Sequence, residues 1–179
     1  VRNKGLKITV STSILVPKPF TPFQWAPMAR PEIVDERIKA VRGAIKSRSI
    51  VYNYHEQETS FMEAVFARGD RRTCDVLIKA FEKGARFDGW SEYFKMDIWN
   101  EAMAECNLDP EFYVYRERNY EEVLPWDFID IGVTRRYLER ENEKAKKAEL
   151  TRNCLEGCTG CGVNIGFKEG KCFEGAIRN

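Results

Sequence analysis

Cys154, Cys158 and Cys161 stand three and two residues apart in the stretch RNCLEGCTGCGVN. With Gly157, Gly160 and Gly162 between or beside them, a short loop can curl around one centre and aim several thiolates inward, as a metal site requires. Cys172, further along the tail, is the candidate fourth ligand. Three thiolates on a 4Fe-4S cubane leave one iron open, whereas a fourth ligand closes the site as in structural zinc. The spacing therefore predicts bound metal and leaves iron–sulfur and zinc both open.

Other chemistry-bearing residues are sparser. His55 is the only histidine, which excludes a histidine-rich metal site and any mechanism needing two imidazoles. Within NYHEQETS it reads as a polar loop residue rather than a general base. The cluster RGDRR, Arg68 to Arg72, has two readings: a bidentate clamp for phosphate or carboxylate, or a helix–helix corner locked by ion pairs. The corner is the preferred reading.

These residues need elements to hold them. LKITVSTSILV, residues 6–16, is rich in Ile, Val and Thr and predicts a strand buried on at least one face. Five prolines between Pro17 and Pro31 forbid helix and impose an extended path, which reads as a packed connector or as a loop at a pocket mouth. Pro31 suits a first helical turn, and Ile33, Val34, Ile38, Val41 and Ile45 trace an apolar stripe towards the strand-like SIVYNY. Ser60 and Glu63 have capping-box spacing and predict a helix over SFMEAVFAR that ends at Gly69.

Asp70 is the expected cap of the next helix, in which Cys74, Leu77, Ile78 and Phe81 share a face and are expected in the core. Gly84 stops that helix. Asp97 opens another, closing near Cys106, which reads as structural. Thr134 opens the last, RRYLERENEKAKKAEL, whose alternating charges read as a solvated face. Its narrow apolar edge, Tyr137 and Leu138, predicts a projecting end that carries the cysteine tail as a small separate unit.

At 179 residues, 43% hydrophobic and 12% aromatic, the chain can bury a core. Charged residues make up 32% but leave a net charge of only +1, so no global field draws it to nucleic acid or an anionic membrane. No apolar run approaches the roughly 20 residues that span a bilayer, and no signal-peptide pattern opens the chain. The expectation is a cytoplasmic protein without a membrane partner. In a reducing compartment its six cysteines point to metal or burial rather than disulfides.

The run ITVSTSILVPKPFTPFQWAP resembles the last barrel strand and following loop of cobalamin-binding-domain radical S-adenosylmethionine (SAM) proteins. The resemblance continues through EAVFARGDRR, GARFDGW, LDPEFY, LPWDFIDIGV and CTGCGV, over about residues 5–164. It implies a fold class of α+β, predominantly α-helical: the terminal strand of a partial (β/α) radical-SAM barrel, then a helical C-terminal region and a Cys-rich tail. The implied divisions are residues 1–30 for the last strand and Pro-rich loop, 31–150 for the helical domain and 151–179 for the metal-binding tail.

By the same resemblance, this is the C-terminal part of an enzyme that cleaves SAM reductively to a 5'-deoxyadenosyl radical, which abstracts a substrate hydrogen. The intact protein would use a 4Fe-4S cluster, SAM and cobalamin, and the missing N-terminal part of the same protein is the expected partner. The substrate, small molecule or RNA, is left open. Ser11 and Ser13 on the strand, with Lys18, Thr21 and Trp25 after it, would lie near the SAM or substrate end of the barrel. Radical-SAM enzymes place their three-cysteine loop after the first strand of the partial barrel, whose later strands bind SAM and substrate, and only 18 residues follow Cys161 of the 179. The tail is therefore expected to hold an auxiliary cluster, or zinc, rather than the catalytic centre.

Asn164 departs from the cysteine that relatives often carry there. A different reading is a non-catalytic zinc knuckle that grips RNA with Arg135, Arg136, Arg140, Lys144, Lys146, Lys147 and Arg152. Glu139, Glu141, Glu143 and Glu149 dilute that basic stripe.

Overall fold

The computed structural model describes residues 5–166. It is a mixed α/β chain, mostly helical, with a single two-stranded sheet among the described residues. The elements run β1 (Ile8–Thr12), α1 (Pro31–Ala44), β2 (Ile50–Tyr54), α2 (Gln57–Arg68), α3 (Thr73–Glu82), α4 (Met96–Glu105), α5 (Pro110–Val114), α6 (Arg135–Lys146) and the short α7 (Val163–Gly166). The contacts divide the chain into two compact units. One holds Val1–Val16 with Pro27–Arg116, the other Pro17–Ala26 with Glu117–Asn179. The Pro-rich connector is thus shared between them.

In the first unit β1 and β2 pair in parallel, with Ile8 opposite Ile50 and Thr12 opposite Tyr54. Parallel neighbours need a crossover, and α1 lies within it. Pro31 sits in the first turn of α1, with Glu32 at its start and Arg42 near its end in the order the helix dipole favours. Of the expected stripe only Val34 is buried in α1.

The core of this unit lies among the later helices. Met62, Val65, Val76, Ala80, Trp99, Ala102, Met103 and Val114 are among its buried members; α3 packs on α4, and α2 on α5. Gly69 ends α2 as expected, for a steric reason: a Cβ there would stand 2.6 Å from the Val65 carbonyl oxygen and 2.4 Å from Thr73 Cγ2.

Two helix readings are corrected. α2 begins at Gln57 rather than Ser60, whose buried hydroxyl donates to the Glu56 carbonyl at 3.0 Å from inside the helix. In α3 the buried residues are Val76 and Ala80, while Cys74, Leu77, Ile78 and Phe81 are exposed. Small side chains let α3 approach α4 closely, so the bulkier face turns outward.

The second unit is built on Trp25, Leu124, Trp126 and Leu138, with Phe20, Tyr120, Val133 and Tyr137 packed around them. Buried Gln24 ties it together: its Oε1 accepts from the Trp126 indole at 2.7 Å and from the Phe20 amide at 3.1 Å. Thr134 caps α6, its hydroxyl accepting from the Tyr137 amide. Beyond α6 the chain turns back along the helix, where Lys144 Nζ donates to Thr151 Oγ1 at 3.0 Å.

Candidate functional site

Two places gather the residues singled out from sequence, and each belongs to one unit. The first is the β1–β2 sheet. Side chains alternate across a strand, so Thr9 and Ser11 share a face with Val51 and Asn53. All four are exposed. The opposite face meets α1 around an open cavity of about 530 Å³, lined by Thr12, Tyr52 and Tyr54 from the strands and Val34, Arg37 and Ile38 from α1. There Thr12 Oγ1 and the Tyr52 hydroxyl share a hydrogen bond of 2.8 Å.

Past the C-terminal ends of the strands come Ser13 and His55, both exposed. The His55 amide donates to the Thr12 carbonyl at 3.2 Å, which continues the ladder by one bond. Ser11, Ser13, Asn53 and His55 therefore stand on one face and towards one end of the sheet. Asn53 was not foreseen, although period-two counting from Ser11 and the paired strand contained the signal.

Lys18, Thr21 and Trp25 belong to the second unit. Thr21 Oγ1 donates to the Lys18 carbonyl at 2.8 Å, a local turn. Trp25 is 1% exposed. Its ring meets Tyr120 edge-on at 4.9 Å and lies under the Arg135 guanidinium at 5.8 Å, so its visible work is packing.

The second place is the cysteine loop. Three positive φ angles, at Gly157, Gly160 and Gly162, shape it. A Cβ on Gly162 would stand 2.6 Å from Thr134 Cγ2, and one on Gly157 would stand 2.9 Å from the Arg152 guanidinium carbon. The loop is fixed against α6. The Thr134 amide donates to the Cys161 carbonyl at 2.8 Å, Arg140 donates to the Thr159 carbonyl at 2.6 Å, and Arg152 to the Cys158 carbonyl at 3.2 Å.

Within the loop the Gly160 amide donates to Cys158 Sγ at 3.4 Å. Cys154 and Cys158 are exposed and Cys161 is half-buried. Among the described residues no three His, Cys, Asp or Glu side chains stand where they share a metal ion. Cys172 lies outside the described residues. The donor chemistry suits a soft metal, but the side-chain placement does not make a cage.

The RGDRR cluster is a corner lock. Arg68 is fully buried; its Nε donates to the Tyr113 carbonyl at 2.6 Å and its Nη2 to the Arg116 carbonyl at 2.8 Å. Asp70 accepts from Arg72 Nη2 at 2.7 Å, from the Arg72 amide at 2.9 Å and from the Tyr113 hydroxyl at 3.0 Å. The Arg72 guanidinium bonded to Asp70 holds its carboxyl down at about 2, against burial, which acts in the other direction. Burial, first, and the Asp70 charge push the Tyr113 hydroxyl up. Neither Cys74, which is exposed, nor Cys106, the half-buried C-cap of α4, joins another cysteine in a disulfide.

No protein-family model, no curated protein and no solved structure matches the chain. Among the described residues no helix is long and apolar enough to cross a membrane.

Proposed function

We propose that this chain is the C-terminal part of a radical-SAM enzyme, in which β1, α1 and β2 close one side of a partial (β/α) barrel, with β2 rather than β1 as its last strand. The observation that carries the reading is the bare face of a parallel pair. Parallel strands are normally covered on both faces and belong to sheets of more than two strands. Here one face meets α1, while Thr9, Ser11, Val51 and Asn53 have no cover among the described residues.

In a barrel the helix layer lies outside and the other face looks into the lumen, so Ser11 and Asn53 would line it. Ser13 and His55 would stand at the C-terminal rim, where such barrels hold their substrates. Their part would be to bind and orient polar groups of SAM or substrate and to exclude water. The cluster that cleaves SAM would be held by residues outside this chain, as would any cobalamin.

The tail cysteines, with Cys172, are proposed to hold an auxiliary iron–sulfur cluster, or zinc in its place. Because the described thiols do not form a cage as they stand, no reaction step is assigned to them. The alternative, a zinc knuckle that grips RNA, is disfavoured by charge pairing. Arg135, Arg140, Lys144 and Lys146 stand in ion pairs with acidic neighbours, which interrupts the basic stripe between Arg136, Lys147 and Arg152.

Anaerobic purification of the full chain followed by metal and sulfide analysis tests the reading. Brown protein with iron and acid-labile sulfide, lost on replacing Cys158 and Cys161 by serine, is the expected result. Colourless protein with one zinc and salt-sensitive RNA binding would replace it with the alternative, and protein free of both metals would remove the tail from either scheme.

A further inference from the structure

The apolar stripe of α1 finds little to pack on. Of Val34, Ile38 and Val41 only Val34 is buried, and with Ile14 and Met28 they wall the open cavity of about 530 Å³ between α1 and the sheet. That volume, and an apolar lining with a few polar groups, are what small-molecule sites have. Every lining residue belongs to the first unit. The charge of the cavity is one-sided. Arg37 is the one charged side chain that lines it among the described residues. Arg37 is exposed, and among the described residues no hydrogen bond, ion pair or aromatic ring engages it.

Hydroxyl groups line the sheet side of the same space. Arg42 Nη2 donates to the Tyr54 hydroxyl at 3.1 Å, and its guanidinium lies 5.3 Å from the centre of that ring. The Tyr54 proton is therefore left to donate. Thr12 and Tyr52 share a single hydrogen bond, which uses the proton of one hydroxyl and leaves that of the other.

We propose that this cavity binds a monocarboxylate with an apolar body, the carboxylate held by Arg37 and these hydroxyl protons, the hydrocarbon laid along Ile14, Val34, Ile38 and Val41. A guanidinium meets a carboxylate through two parallel hydrogen bonds. The single positive charge of the lining balances a single negative one. A phosphate dianion would bring a second charge against apolar walls, where an unpaired charge is costly, and an amine would face Arg37 as a like charge. The inference does not rest on the radical-SAM reading, which draws on the opposite face of the sheet.

Calorimetric titration of the full chain with octanoate tests it. The expected result is saturable binding, tighter than that of 1-octanol by about tenfold or more. Hexanoate should bind about fifteenfold more weakly than octanoate, because each methylene is worth about fourfold. Arg37→Leu should remove the preference for octanoate over octanol with unchanged circular dichroism, and Arg37→Lys, which keeps the charge without the fork, should fall between the two. Val41→Trp, which fills the cavity, should remove binding of both probes, and octanoate should shift the backbone amide resonances of α1 and β2. No saturation in the millimolar range, octanol or octylammonium bound as tightly as octanoate, octyl phosphate bound more tightly, or an affinity indifferent to Arg37→Leu and Val41→Trp would each overturn the proposal.

Discussion

Replacing Arg68 by methionine tests whether the corner between α2 and α5 is held by hydrogen bonds to backbone. Methionine is about as long, flexible and apolar, so it fills the volume and isolates the loss of the polar head. The Tyr113 and Arg116 carbonyls would then lose charged donors now at 2.6 and 2.8 Å. A buried acceptor left without its donor costs about 1–3 kcal/mol, so the pair costs about 4 kcal/mol, a large share of the roughly 5–15 kcal/mol that holds a domain.

In urea, with a slope of about 2 kcal/mol per molar, the midpoint should fall by about 2 M. Amide exchange in α2 and α5 should accelerate together, because both ends of the lock are released. Arg68→Lys, with one ammonium in place of a fork, should fall between methionine and wild type. Arg72→Met, at a side chain 65% exposed, should move the midpoint far less than Arg68→Met. If Arg68→Met costs less than about 1 kcal/mol, the carbonyl-lock argument is wrong.

Asp70 predicts an acid-sensitive step in the same unit. Its folded-state pKa of about 2 lies below the ordinary aspartate value of 3.8, so its stabilisation is present above pH 4 and is lost as pH falls from about 4 to 2. With Arg72 largely solvated, the loss should be about 1 kcal/mol. Asp70→Asn should flatten that part of a stability-versus-pH curve, and an unchanged acid limb would count against the pair. Gly162→Ala should strain the cysteine loop, since φ is +102° and the new Cβ would meet Thr134. Faster exchange of the Thr134 amide, which donates to Cys161, is the readout, with a cost of about 1–3 kcal/mol.

Much of the helical frame was legible because its signals are local. Pro31 in a first turn, Thr134 as a cap and Gly69 as a stop each act within about one turn of their own position. What depends on a distant partner was harder to read. α3 carries two apolar faces, and only the approach of α4 selects Val76 and Ala80 over the bulkier side. Ser60 and Glu63 have the spacing of a cap, yet the helix extends one turn earlier and absorbs the serine hydroxyl.

The candidate site shows the same division. Glycines that bend the cysteine loop were visible, but the arginines that fix it, Arg140 and Arg152, looked like surface charge. Arg68 drew attention as a possible anion clamp. Its acceptors lie 45 and 48 residues away, beyond the reach of any spacing rule.

The excursion of Pro17–Ala26 into the second unit has a consequence for biosynthesis. Trp25 leaves the ribosome about a hundred residues ahead of Leu124 and Trp126, the side chains that will enclose it. At roughly 5–20 residues per second, that indole waits many seconds without its permanent neighbours. A nascent chain halted before Glu117 should therefore be a good client for chaperones that recognise aromatic segments, and one released after Leu138 a poor one.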